Sequence, residues 1–92
     1  MPQPKYYVPL TAFEAHDFNA VIELIGNPTL NDYADYGVTD APQMLMHDSY
    51  LRALALQHLG RDQEAIEAFL KMVEDAPNEQ WKKLARLYLE PV

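Results

Sequence analysis

Cysteine is absent from this chain of 92 residues. Its absence excludes a disulfide framework and any zinc site built on thiolates. Glycine is scarce, and Gly26, Gly37 and Gly60 are too scattered to form a loop that cradles phosphate. Bases are few as well: seven Lys and Arg stand against fourteen Asp and Glu, a net charge of −7. A surface of that sign repels nucleic acid and anionic membranes. No apolar run approaches the roughly 20 residues needed to cross a bilayer. The opening Met1-Pro2-Gln3-Pro4-Lys5 lacks the basic-then-apolar pattern of a secretory leader. The chain therefore reads as soluble, unprocessed and cytoplasmic, with no membrane and no nucleic acid among its partners.

What is present is helical patterning over one small domain. Apolar residues make up 49% of the chain, enough for a single modest core. Residues 1–10 hold Pro2, Pro4 and Pro9 beside Tyr6-Tyr7-Val8, which predicts an extended arm. Thr11 and Glu14 have capping-box spacing, and Phe18, Val21, Ile22 and Ile25 recur on one helical stripe. Together they predict a first helix over 11–26, stopped by Gly26-Asn27-Pro28. Asp17 is a rival N-cap; if it prevails, 9–15 become a separate short helix and His16-Asp17 a tight corner.

A connector follows over 27–39, with Thr29 capping a short helical turn through Leu30, Tyr33 and Tyr36. The second helix spans 40–60 and tolerates Pro42 in its first turn. Apolar residues cover more than half its circumference, so it should lie centrally. The third, over 61–76, has Ala65, Ile66, Phe69, Met72 and Val73 as its apolar stripe. The fourth, over 78–90, takes Asn78 as its cap and places Trp81, Leu84, Ala85 and Tyr88 on one face. Lys82, Lys83 and Arg86 lie on the other. The expected fold is all-α, about four main helices in an antiparallel hairpin array with a capping N-terminal segment.

No catalytic constellation emerges from the spacing. His47 and His58 are eleven residues apart, roughly 16 Å along one helix, too far to ligate one metal. His47 and Ser49 are too close on a helix to act as base and nucleophile, and Glu64/Glu67 lie on a solvated face. No cofactor or metal is expected, and the chain is read as non-enzymatic.

The stretch from Ser49 to Pro77 resembles a tetratricopeptide repeat. The resemblance rests on Ala53, Leu56, Gly60, Ala65, Phe69 and Pro77: small residues where two antiparallel helices touch, a turn glycine, an aromatic filler and a closing proline. The chain departs from that family at Ser49, Arg52 and Met72. A weaker echo runs from Phe13 to Leu24, with His16 where the turn glycine would stand. The resemblance implies a hairpin that presents a surface to another protein or peptide and carries no chemistry of its own.

Partner contacts are expected at His47, Tyr50 and Arg52 on the second helix, and at Tyr6 and Tyr7 in the arm. Arg52 stands out because the family favours leucine there. Two alternatives remain open. One is a homodimeric structural protein whose apolar helix face is the seam. The other is a small acidic inhibitor or mimic that binds a basic surface, motivated by a charge of −6 over residues 1–51.

Overall fold

The computed structural model describes residues 7–89, with side chains from Pro9 onward, and every regular element among them is helical. The order is α1 (Tyr7–Glu14), α2 (Phe18–Ile25), a 3-10 helix (Leu30–Tyr36), α3 (Gly37–His58), α4 (Asp62–Asp75) and α5 (Glu79–Leu89). The described chain is therefore all-α.

Three boundaries correct the sequence reading. Residues 7–10 are not part of an extended arm but open α1. Pro9 is accommodated because it falls within the first turn, whose N–H groups have no intrahelical partner. The single helix expected over 11–26 is split, because the chain turns sharply at Ala15-His16-Asp17 and Asp17 caps α2 by accepting from the Ala20 N–H at 3.3 Å. The third correction is at α3, which starts at Gly37 rather than 40 and so leaves Pro42 beyond its first turn. Gly37, at φ 87°, lets the 3-10 helix run directly into α3. Pro42, lacking an N–H, cannot return the usual helical bond to the Val38 carbonyl.

Two corners share one construction. After α3, the Gly60 N–H donates to the Gln57 carbonyl and the Arg61 N–H to the Leu56 carbonyl, with Gly60 at φ 77°. After α1, the His16 N–H donates to Phe13 and the Asp17 N–H to Ala12, with His16 at φ 60°. Both are Schellman closures, in which one left-handed residue ties off the last free carbonyls.

α3 is central, and α1, α2, the 3-10 helix and α4 all pack on it. Its residues Ala53 and Leu56 join Ala65, Phe69 and Met72 of α4 and Ala85 of α5 in the larger core cluster. Alanines at 53, 65 and 85 are each buried, and such small side chains let helix backbones approach closely. Val21, Leu51 and Ala55 form a second cluster that seats α2 against α3, with Leu10 and Phe13 of α1 packed on it. α5 packs on α4 and also reaches α3: Trp81 Nε1 donates to Gln43 Oε1 at 2.7 Å, and the hydroxyls of Tyr50 and Tyr88 lie 2.9 Å apart. Both contacts join residues 38 positions apart, so α5 runs parallel to α3. Asn78 caps α5 by accepting from the Trp81 N–H at 3.2 Å.

Candidate functional site

The 3-10 helix is held to α3 by a buried polar contact. Tyr33 is 7% exposed, and its hydroxyl donates to Asp48 Oδ2 at 2.5 Å. Asp48, itself buried, also has Oδ1 3.4 Å from His47 Nδ1. Burial, above all, and then the bond to the Asp48 carboxylate push the Tyr33 phenol well above its ordinary range. Proton loss there would put two negative charges together out of water. The contact fixes how far the 3-10 helix stands from the first turns of α3.

Between them lies an apolar groove. Leu30, Asn31 and Ala34 form one wall, and Val38, Ala41 and Pro42 the other, enclosing about 540 Å³. Val38 is 95% exposed and Leu30 52%, an unusual placement for branched aliphatic side chains. The groove continues past Leu30 and Pro42 into a second section of about 380 Å³, lined also by Pro28, Lys71, Asp75 and Pro77. Pro28, Leu45, Lys71 and Asp75 then border a narrow recess between α3 and α4 that Arg52 and Ser49 complete.

The residues singled out in the sequence do not gather on one surface. At roughly 100° per residue, His47 and Tyr50 lie about 60° apart on one side of α3, whereas Arg52 lies about 160° from Tyr50 and about 140° from His47. His47 is partly exposed beside Asp48. Tyr50 faces α5, half-buried against Tyr88 with ring centroids 5.9 Å apart. Its phenol is pushed up to about 12, mainly by burial and then by the hydrogen bond with Tyr88. Arg52 alone of the three borders the groove system. Tyr6 lies outside the described residues, and so does the side chain of Tyr7, whose backbone opens α1.

Sequence reasoning missed the groove itself, because Leu30, Val38 and Pro42 sit on no shared helical stripe. It also missed an aromatic cluster at the other end of α3. The Phe18 ring lies parallel to that of His58, with centroids 4.5 Å apart, and stacks on His16 at 5.6 Å. Phe13 meets both Phe18 and His58 edge-on. This packing pins the α1–α2 corner to the last turn of α3. Among the described residues, no group of three His, Asp or Glu side chains is placed to hold a metal ion. Nor is any described helix long and apolar enough to cross a membrane. Comparison of the chain with known protein families, with characterised proteins and with solved structures found no match.

Proposed function

We propose that the chain is a non-enzymatic protein–protein interaction module of tetratricopeptide-like type, which receives an apolar segment of another protein in the groove between the 3-10 helix and α3. The observation that carries this reading is the exposure of Leu30 and Val38 along one apolar groove. Side chains of that kind cost free energy in water, about 25 cal/mol per Å² of apolar surface, which a partner would recover by covering them. The tetratricopeptide-like part of the proposal is supported by the two matching corners and by α5 lying parallel to α3, the arrangement of stacked hairpins. A cytoplasmic location belongs to the same proposal and rests on the sequence alone.

The test is photo-crosslinking in the source cells, with a benzophenone side chain at Val38 and, as control, at Glu67 on the exposed face of α4. Adducts to one foreign protein from position 38, absent from position 67 and reduced by Leu30→Asp, are the expected outcome. No position-38 adduct would sink the reading.

A second reading, self-association, is favoured by a different face. Ile66 and Leu70 lie one turn apart on α4 and are 42% and 50% exposed, with Leu87 of α5 70% exposed. Light scattering across a hundredfold dilution decides it: a dimer at low concentration that Leu70→Glu converts to monomer would favour the seam.

A further inference from the structure

The groove leads into a smaller recess. Asn27, Ser49, Arg52, Lys71 and Asp75 supply its polar lining over the apolar floor of Leu45, Met46 and Met72, and it measures about 30 Å³. That is room for one or two water-sized groups, or for the oxygens of one small anion. In a chain of charge −7, two cations here share one opening.

Among the described residues, neither cation has an ion-pair partner. The Lys and Arg ion pairs among the described residues are Arg61–Glu64 and Lys82–Glu79. Asp75 borders the recess one turn from Lys71 without reaching ion-pair distance, and Glu64, the acid that feels the Arg52 charge, is engaged by Arg61 at 2.6 and 3.0 Å. The Nε of Arg52 is buried and meets no acceptor in the described chain. A buried donor left without an acceptor is costly, the more so on a charged group. A water would satisfy that one N–H without supplying a counter-charge.

We propose that Arg52 and Lys71 form a carboxylate-binding subsite, which takes an acidic side chain from the same partner segment whose apolar residues occupy the groove. The inference rests on the groove reading above, because the recess opens into that groove through Pro28, Leu45, Lys71 and Asp75. A carboxylate is flat and presents two oxygens to the guanidinium edge, the pairing for which Arg is best shaped. The recess is narrow for a tetrahedral group, and Asp75 on its wall disfavours a dianion. On an otherwise acidic surface, one point that accepts an acid also sets register: it admits a segment with its carboxylate here and repels the same carboxylate elsewhere.

The test uses the full chain labelled with nitrogen-15, following the Arg52 Nε–H signal and the backbone signals of Leu30 and Val38. Probes are acetyl-Glu-Leu-Ala-Leu-amide, its Gln counterpart, sodium acetate and inorganic phosphate, at constant ionic strength. The expected result is a saturating shift of the Arg52 signal with the Glu peptide, about tenfold weaker with the Gln peptide and with Lys71→Gln. Acetate should move the same signal at higher concentration. Arg52→Gln should abolish the Glu/Gln preference; if that variant does not fold, Lys71→Gln, at an exposed position, carries the test. Equal shifts from the Glu and Gln peptides at Leu30 and Val38, with Arg52 silent, overturn the subsite and leave the groove intact. Silence at all three positions overturns both readings. Saturation by phosphate alone overturns the carboxylate assignment.

Discussion

His16 and Gly60 hold the same place in two corners of the fold. Each is the left-handed residue after a helix, at φ 60° and 77°, and each corner closes with the same pair of backbone bonds. Three residues separate the helices in both cases. Glycine occupies that conformation without strain, whereas a side chain there costs roughly 1 kcal/mol.

That equivalence predicts opposite effects from exchanging the two residue types. A Cβ added at Gly60 meets no atom within 4 Å, so Gly60→Ala is opposed by backbone conformation and not by a clash. It should lower stability by about 1 kcal/mol. His16→Gly relieves the same strain but loses the stack on Phe18, and should raise stability by a few tenths of a kcal/mol. Urea titrations of both variants check this; effects of the same sign would dissolve the equivalence.

Tyr33→Phe removes the hydroxyl that donates to Asp48 in the core. The buried carboxylate then loses its short bond, at a cost of about 1–3 kcal/mol. Because the same contact positions the 3-10 helix, hydrogen exchange at Leu30–Tyr36 should quicken more than in α4. Uniform exchange across both elements would mean that the contact stabilises without positioning.

The pH dependence follows from the tyrosines. Tyr50 keeps its proton up to about 12 when folded, whereas an unfolded phenol releases it near about 10. Below pH 10 its contribution is therefore fully present, and it is lost as pH rises from about 10 to 12. Tyr33 is displaced in the same direction and extends the loss upward. The melting temperature should fall across this range, and less steeply in Tyr50→Phe. An identical slope in wild type and variant would remove Tyr50 from the account.

Phe69 is 1% exposed, and its ring stacks on Tyr88 with centroids 4.8 Å apart. Phe69→Ala should cost about 3–5 kcal/mol, close to the whole stability of so small a domain. Tyr88→Phe keeps the stack and loses the hydroxyl contact with Tyr50, for about 1 kcal/mol or less. Thermal melts followed by circular dichroism separate the two. A folded Phe69→Ala protein with a near-native melt would mean that the cluster is not the fold's anchor.

Val38→Glu tests the groove without touching the core. At 95% exposure the substitution should leave stability within about 0.5 kcal/mol, while removing any partner that docks there. Retained partner capture by a folded Val38→Glu protein would move the search to another face.

The sequence by itself determined the elements that depend on near neighbours. Gly60 and Pro77 mark the ends of α3 and α4, Asn78 caps α5, and the alanines at 53 and 65 mark close helix approach; all follow from backbone chemistry within a few residues. Asp17 against Thr11 as the cap was a local competition that the sequence posed and left open. It fell to Asp17 because Phe13 and Phe18 pack with His58, far along the chain, only if the helix breaks between them. Tertiary structure alone decided the candidate site. The groove exists because Tyr33 and Asp48 fix the standing distance of the 3-10 helix, and the recess because α4 brings Lys71 alongside Arg52. Those pairs depend on the rotation of one helix against another. That rotation is set by the fit of the whole core, which no short window of sequence contains.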